Sequence, residues 1–405
     1  MARIHTDYIG PLGPPTPLLL CSSALRPFLL AALLFFTYVV VVAGVGCVGK
    51  PLRIQGEITP VGWLSYRGGM DRRGWAPYGV DAPLTLQWRT RIGPAVSASP
   101  LVAGDEVYVV SIDGRVALLD VLTGEKRGQK SLKTTVLSTP ALIDGWLFIA
   151  STGKKRGFWT AIDLRAGKVA WRVEGGGSAA PVVADGRVMV GSDQGDVVAL
   201  DERTGKEIWR FKAEGPVWSS PSLRGGDVYV GCNGDRVYRL NGATGALVWE
   251  RDVHGSVYGT VAVSEEGIYV VTTSGWIYRL DRDTGEVQWS VSPDTGGGFY
   301  AGPAVDEQTL YAGGTDRTLY AVDRETGVQR WTFIAGGVIR SAPVATGKTV
   351  YFGCGDRVFY ALNKKSGTLV WTYEAEAPIA SSPAVTDRGV YIGAMDGRVY
   401  GFVRE

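Results

Sequence analysis

The sequence predicts an all-β protein, an eight-bladed β-propeller made of four-stranded antiparallel blades. Two repeated patterns and one isolated strand lead to this fold class. A turn motif recurs roughly every 40 residues, which is a spacing typical of propeller blades. A proline signature opens each period, and a single strand that begins at Leu84 matches the strand that the last period lacks.

The turn motif is an Asp or Asn, a Gly four residues later, and a Trp four residues after the Gly. An Asx side chain bonds its own backbone two residues on, and Gly adopts positive φ at little cost, so the motif predicts a turn between two strands. The acidic or amide residues are Asp120, Asp163, Asp201, Asn241, Asp281, Asp323 and Asn363. The glycines are Gly124, Gly167, Gly205, Gly245, Gly285, Gly327 and Gly367.

A tryptophan completes each motif except the first, where Gly128 stands instead. An aromatic side chain of this size is suited to fill the space between neighbouring sheets, so these residues are predicted to be structural. Together with one in the isolated N-terminal strand, they are Trp88, Trp171, Trp209, Trp249, Trp289, Trp331 and Trp371.

A small residue followed by Pro opens each period and gives an independent count of eight. The pairs are Ser99-Pro100, Thr139-Pro140, Ala180-Pro181, Ser220-Pro221, Gly302-Pro303, Ala342-Pro343 and Ser382-Pro383, with Thr260-Val261 in the fifth place. The chain ends after the third strand of the eighth period. The strand Leu84–Arg89 is therefore predicted to complete that blade and close the ring, which removes the exposed sheet edges.

These motifs resemble the pyrroloquinoline-quinone-type repeat, from about Trp63 to the end of the chain. The resemblance is closer to the anchored barrel-assembly lipoproteins than to the quinoprotein dehydrogenases. It implies an eight-bladed ring outside the cytoplasm, but membership does not imply that quinone is bound, because function belongs to sites rather than to folds. The dehydrogenases carry an adjacent Cys pair and long insertions, which this sequence lacks.

The N-terminal part predicts a membrane tether. Residues 1–27 are rich in Pro and predicted to be disordered, and residues 28–48 contain no charge over a length that can span a bilayer. This helix is either retained as an anchor or cleaved as a signal, and Cys47 lies in a sequence similar to a lipidation site. Residues 49–83 read as a linker that packs on the ring formed by residues 84–405.

Composition excludes several kinds of site. The formal net charge of +2 does not indicate the excess of positive charge that is typical of nucleic-acid-binding proteins. The only histidines are His5 and His254, and no C-x-x-C pair is present among the four cysteines. The sequence therefore assigns no catalytic residue and no metal ligand, and no cofactor is expected.

A binding face is predicted from the residues that vary between blades. The residue three positions before each proline slot, here named the mouth position, is Ser97, Leu137, Ser178, Trp218, Tyr258, Tyr300, Arg340 and Ala380. Four consecutive blades thus present Trp, Tyr, Tyr and Arg, which are types enriched in interface hot spots. His254 and Trp276 are expected on the same face. The alternative is that these side chains only pack between blades.

The sequence favours a non-catalytic, membrane-tethered and monomeric propeller that binds envelope or membrane proteins. One alternative is a quinone-dependent oxidoreductase, in which pyrroloquinoline quinone would be the cofactor. Another is an extracytoplasmic sensor that binds a small ligand or a polysaccharide through the aromatic mouth positions.

Overall fold

The computed structural model describes residues 51–54, 62–153, 156–293 and 296–404. The predicted disordered segment 1–27, the anchor or signal helix 28–48, and Cys47 lie outside the described residues. In the part of the chain that is described, every regular element is a β-strand, and no helix is long and apolar enough to cross a membrane.

Eight antiparallel blades of four strands follow one another along the chain, as the repeat count predicts, and the short strand Gly62–Trp63 adds a fifth strand to the sheet of blade 1. Blade 1 contains Leu101–Ala103, Glu106–Val110, Arg115–Asp120 and Lys126–Ser131. Blade 2 contains Ala141–Ile143, Trp146–Ser151, Gly157–Asp163 and Lys168–Gly175. Blade 3 contains Val182–Ala184, Arg187–Gly191, Asp196–Asp201 and Glu207–Lys212. Blade 4 contains Ser222–Arg224, Asp227–Cys232, Arg236–Asn241 and Leu247–Asp252.

The remaining blades repeat this plan. Blade 5 contains Ala262–Val263, Ile268–Val271, Ile277–Leu280 and Val287–Val291. Blade 6 contains Ala304–Val305, Thr309–Gly313, Thr318–Asp323 and Gln329–Ile334. Blade 7 contains Val344–Ala345, Thr349–Gly353, Val358–Asn363 and Leu369–Glu374. Blade 8 contains Ala384–Val385, Val390–Gly393 and Arg398–Arg404, and its fourth strand is Leu84–Arg91 from the start of the ring.

The strand Leu84–Arg91 pairs antiparallel with Arg398–Arg404, from Leu84 opposite Arg404 to Arg91 opposite Arg398. A register shift between Leu86 and Trp88 accompanies this pairing, and the other blades show the same shift at the corresponding place. The eighth sheet therefore contains strands from both ends of the ring.

The repeated turn works as its residues predict. Asp281 Oδ1 accepts hydrogen bonds from the backbone amides of Asp283 and Thr284, at 2.9 and 2.8 Å. Gly285 has a φ of +71° and faces the indole of Trp249, which lies in the preceding blade. A Cβ at Gly285 would stand 2.8 Å from that indole. The turn thus needs Gly for two reasons: its backbone has a positive φ, and a larger side chain would collide with the tryptophan that covers it.

Each of six tryptophans also donates its indole N–H to a backbone carbonyl in the next blade. Trp249 Nε1, for example, donates to the carbonyl of Arg282 at 3.1 Å. The same bond is made by Trp88, Trp171, Trp209, Trp289 and Trp331. The tryptophan therefore fixes two neighbouring blades by packing and by hydrogen bonding at once.

The exception at Gly128 has a structural reason. The segment Pro51–Ile54 lies over blade 1 there, and a Cβ at Gly128 would stand 2.5 Å from the Pro51 carbonyl oxygen. Leu52 is buried and belongs to the apolar cluster between blades 1 and 2. The amide of Ile54 donates to the carbonyl of Leu164 in blade 2 at 3.1 Å. The segment Pro51–Ile54 thus fills the seam between blades 1 and 2, which in other blade pairs is filled by a tryptophan.

Residues 62–80, here named the belt, run around one end of the central channel. Gly62–Trp63 pairs with the first strand of blade 1. Belt carbonyls then accept backbone hydrogen bonds from the first strands of five further blades, whose donors are Leu142, Leu223, Val263, Val305 and Ala345. Val80 donates to the carbonyl of Thr386 in blade 8 at 3.0 Å. The belt therefore reaches almost every blade, at the end of the first strands opposite the mouth positions.

Candidate functional site

All eight mouth positions line one cavity of about 450 Å³ at the open end of the channel. The sequence predicted a shared surface for four of them, and the structure brings these four together. Tyr258 and Tyr300 are 38% and 40% exposed, and Arg340 is also exposed. Trp218 is half-buried. Whether this surface binds a partner remains a prediction.

The four side chains contact one another in sequence across blade boundaries. The ring centroids of Trp218 and Tyr258 are 5.3 Å apart, and those of Tyr258 and Tyr300 are 5.5 Å apart. The Arg340 guanidinium lies over the Tyr300 ring, 5.8 Å from its centroid. We name this row the aromatic arc. Its members both pack between blades and face the cavity, so the two interpretations of the sequence are not exclusive.

The arc is held from the neighbouring blade. Trp218 Nε1 donates to Asp193 Oδ1 at 3.1 Å, and Asp193 lies in the turn between the second and third strands of blade 3. The amide of Val217 donates to the carbonyl of Ser192 in the same turn at 2.9 Å. The turns between second and third strands therefore lie at the same end of the ring as the mouth positions.

His254 and Trp276 form a separate pair. Their rings meet edge to face with centroids 5.8 Å apart, and Trp276 also stacks on Tyr278. The backbone amide of His254 donates to the Tyr278 hydroxyl at 2.9 Å. Neither residue belongs to the lining of the cavity. The two side chains contact each other, and their place on a binding face with the aromatic arc remains a prediction.

Two arginines of the belt lie behind the floor of the cavity, outside its lining, and were not predicted as site residues. Arg72 is fully buried and donates to the carbonyls of Tyr66 and Pro181 at 2.7 Å, and of Pro221 at 3.2 Å. Burial lowers the pKa of Arg72 to about 9. Tyr66 itself lines the cavity, so the belt forms its floor.

Arg67 is buried beside Arg72 and donates to the carbonyl of Pro303. Burial lowers its pKa to about 10, because the charged guanidinium loses its hydration. Nη1 of Arg67 lies 2.5 Å from the place that a Cβ of Gly302 would take. This contact explains why Gly replaces the Ser, Thr or Ala that precedes the proline slot in the other blades.

The described residues contain no cluster of three or more His, Cys, Asp or Glu side chains that could hold a metal ion. Cys232 and Cys354 are free, buried thiols in blades 4 and 7. The cavity lining includes neither a carboxylate nor a thiol. The side chains at this site can therefore stack, donate hydrogen bonds and attract anions, but they supply no acid–base pair.

Comparison with known proteins assigns the family. Residues 81–143, 155–275, 193–297 and 273–405 match the family model of PQQ-like repeats described as outer membrane protein assembly factor BamB. The chain belongs to this family. The membership confirms the resemblance found in the sequence, including the preference for barrel-assembly members over quinoprotein dehydrogenases.

Individual members of the BamB family match shorter stretches. Outer membrane protein assembly factor BamB of Yersinia pestis is 29% identical over 150 residues, which are 33% of this chain and 38% of that protein. BamB of Burkholderia pseudomallei is 30% identical over 31% of this chain and 33% of that protein. The matched stretches thus span little more than a third of these relatives.

Solved structures show the same fold. The crystal structure of BamB from Moraxella catarrhalis superposes with a TM-score of 0.70 at 21% identity, over 79% of this chain and all of that one. A europium-containing methanol dehydrogenase superposes with a TM-score of 0.72 at 15% identity, over 85% of this chain and 98% of that one. Both likenesses concern the fold alone.

Proposed function

We propose that this protein is a non-catalytic scaffold of the cell envelope that binds proteins taking part in outer-membrane protein assembly. The observation that carries the proposal is the aromatic arc, a continuous row at the open end of the ring in which Trp218 is half-buried and Tyr258, Tyr300 and Arg340 are exposed. Family membership gives the context, since the relatives are named as outer membrane protein assembly factors.

The arc has the properties of a protein-binding surface. Its aromatic members carry large contact areas on side chains with few rotatable bonds, and each ring is supported by its neighbour. Trp218 is fixed by its hydrogen bond to Asp193, so less ordering is needed on binding. Arg340 ends the row with a positive charge that favours an acidic group on the partner.

The finer proposal is that the ring acts as a monomer outside the cytoplasm, held to a membrane by the predicted helix at residues 28–48. The absence of charge in that stretch supports it.

Quinone-dependent oxidation is the second candidate, because quinoprotein dehydrogenases share the fold. The residues present do not fit that cofactor. A quinone bound with calcium needs carboxylate oxygens to hold the cation, and the cavity lining offers hydroxyl, aromatic and aliphatic side chains with one arginine. We therefore derive no catalytic step for this protein.

Partner capture from its own membranes tests the scaffold function. A photo-reactive residue at Tyr258 should cross-link to envelope proteins, whereas the same residue at Val248, exposed on an outer strand, should not. The double variant Tyr258→Ala, Arg340→Ala should weaken capture at least tenfold, about 1.4 kcal/mol. The matched control is Lys206→Ala with Ile208→Ala, which removes one charge and one apolar side chain from the outer rim.

Unchanged capture by the double variant would contradict the assignment of the arc, provided that its melting temperature matches the wild type. A destabilised ring with unchanged capture would show that the four side chains serve packing between blades. Equal cross-linking from both positions would show that capture is not directed to the mouth.

A further inference from the structure

The cavity at the mouth differs from an ordinary protein-binding patch in its chemistry. Its lining is rich in hydroxyl groups and contains no Asp or Glu. The hydroxyl side chains are Ser97, Ser99, Ser138, Thr139, Ser178, Ser220, Thr260 and Ser382. The aromatic arc forms one wall and ends in Arg340. The volume of about 450 Å³ lies within the range of roughly 300–1,000 Å³ that is common for small-ligand sites.

Many of these hydroxyls are already oriented by the fold. Thr139 Oγ1 accepts from the amide of Ser99 at 2.9 Å, and Ser99 Oγ accepts from the amide of Ser382 at 3.0 Å. Ser220 Oγ accepts from the amide of Ala180 at 2.8 Å. A hydroxyl that accepts one bond can still donate its own hydrogen. These groups therefore form a ring of preoriented donors around the cavity.

Positive charge lies beneath this ring without matching negative charge. Arg67 and Arg72 are 1% and 0% exposed, and their guanidinium groups donate to backbone carbonyls instead of carboxylates. The nearest acid of the belt, Asp71, is paired at 2.9 Å with Arg73 and lies within 3.4 Å of Arg224. Among the described residues, no carboxylate forms an ion pair with Arg67 or Arg72.

Four polar atoms in or beside the cavity lack a partner in the described part of the chain, namely Ser97 Oγ, Thr260 Oγ1, Arg67 Nε and Arg67 Nη1. A Cβ at Gly302 would collide with Thr260 Oγ1 and Arg67 Nη1, so these two atoms are close neighbours. Ser97 and Thr260 line the cavity. A buried polar atom left without a partner is costly, and the two that belong to the lining point to a ligand that completes them.

We propose that this cavity binds a small hydroxylated carboxylate, of the class of the hexuronic acids. The sugar ring would lie against the faces of Tyr258 and Tyr300, which take its C–H groups, and its hydroxyls would bond to the ring of Ser and Thr. The carboxylate would pair with Arg340 at the rim, where guanidinium and carboxylate match in shape and charge. The charges of Arg67 and Arg72 add attraction from below in a poorly hydrated site.

The absence of Asp and Glu from the lining favours an acidic over a neutral sugar. The hydroxyls of the lining can bond the hydroxyls of either kind of sugar, whereas Arg340 is the one charged side chain of the lining and favours the ligand that carries a carboxylate. An acidic ligand also offsets the unpaired guanidinium charge that burial otherwise makes unfavourable. This inference uses Tyr258, Tyr300 and Arg340, as the scaffold function does, but it concerns occupation of the cavity by a small ligand and is tested apart from the capture of proteins.

Calorimetric titration of the purified full-length protein tests the proposal, with D-glucuronate, D-glucose and acetate as probes. Glucuronate should bind at least tenfold more tightly than either of the other two, because only it combines the hydroxylated ring with the carboxylate. Arg340→Gln should weaken glucuronate at least tenfold. Arg330→Gln is the matched control, since Arg330 is a surface arginine on the outer strand of blade 6 and should leave binding unchanged.

Saturable glucuronate binding that the Arg340 variant loses supports the site. No saturable heat with glucuronate would overturn it, and so would equal affinity for glucuronate and glucose. Binding that Arg340→Gln leaves intact would also overturn the assignment, with the melting temperature showing that the variant is folded. A protein that captures envelope partners yet ignores glucuronate would keep the scaffold function and refute the ligand.

Discussion

At the scale of single residues, the tryptophan repeat illustrates how one side chain can join two blades. Trp249 is buried in the cluster between blades 4 and 5, stands over Gly285 and donates to the carbonyl of Arg282. Both the packing and the hydrogen bond cross the blade boundary, so their loss should weaken the seam rather than a single sheet.

Trp249→Ala should therefore lower the free energy of unfolding by about 3–5 kcal/mol, because it leaves a cavity and removes the indole hydrogen bond to the next blade. Chemical denaturation followed by circular dichroism measures the change. Trp249→Phe is the control, which keeps most of the apolar surface and should lose clearly less. A loss below about 1 kcal/mol for the alanine variant would be within the range of surface positions and would contradict a structural role.

Leu52 should contribute as much to the stability of the protein as a core residue of the ring, although it precedes the ring in the sequence. It is 1% exposed in the seam where Gly128 replaces a tryptophan. Leu52→Ala is expected to cost about 2–5 kcal/mol, measured in the same way. Leu122→Ala, at a residue that is 56% exposed, should change stability by less than about 0.5 kcal/mol. Equal effects from the two variants would show that Pro51–Ile54 does not fill the seam.

The turn carboxylates predict sensitivity to acid. A hydrogen bond from Arg330 lowers the pKa of Asp323 from 3.8 to about 2, and a hydrogen bond from Thr204 lowers that of Asp201. Because these folded-state pKa values are depressed, the stabilisation is present above the unfolded value of 3.8 and is lost as the pH falls toward 2. Melting temperatures between pH 5 and pH 2 should fall accordingly.

Asp323→Asn should make the melting temperature less dependent on pH in that window. The turn itself should survive, because Asn241 makes the same bonds to the amides of Ala243 and Thr244 at 3.1 and 3.0 Å. An unaltered pH profile in the variant would show that Asp323 is not part of the acid response.

At the scale of elements, the strand Leu84–Arg91 is the piece on which the last blade depends. It forms the whole outer edge of blade 8 through its pairing with Arg398–Arg404. Deleting residues 84–91 should leave a three-stranded blade with an open edge, and an exposed edge promotes association. Sedimentation and thermal unfolding should show aggregation or a large loss of stability. Truncation of residues 1–50 is the control and should keep the ring soluble.

A deletion variant as soluble and as thermostable as the parent would contradict the role of this strand in the last blade.

The elements also show where sequence reasoning reached its limit. The turns, the blade count and the mouth positions were predictable because each depends on a short sequence motif that recurs at the same position of every repeat. The belt was predicted only as a linker that packs on the ring, because its bonds join residues such as Arg72 and Pro221 that are far apart in sequence. The buried arginines and the filling of the Gly128 seam by Leu52 depend on such distant contacts, which no local pattern encodes.

At the scale of the whole molecule, the cavity lining predicts that this ring does not bind a quinone with its cation. Titration with pyrroloquinoline quinone and calcium should shift neither the melting temperature of the protein nor the absorption spectrum of the quinone. The reason is that the lining offers no carboxylate to hold the calcium ion. A saturable complex that oxidises alcohols in a dye-linked assay would contradict this expectation.

The belt has a consequence for how this ring could change during evolution. Propellers gain and lose blades by duplication of the repeat, and most seams tolerate this because each blade contacts only its neighbours. Here one stretch of chain pairs with blade 1 at Trp63, accepts backbone hydrogen bonds from blades 2, 4, 5, 6 and 7, and donates from Val80 to blade 8. An added or missing blade would shift every later donor away from its acceptor. The hydrogen bonds of the belt therefore fit only a ring of eight blades.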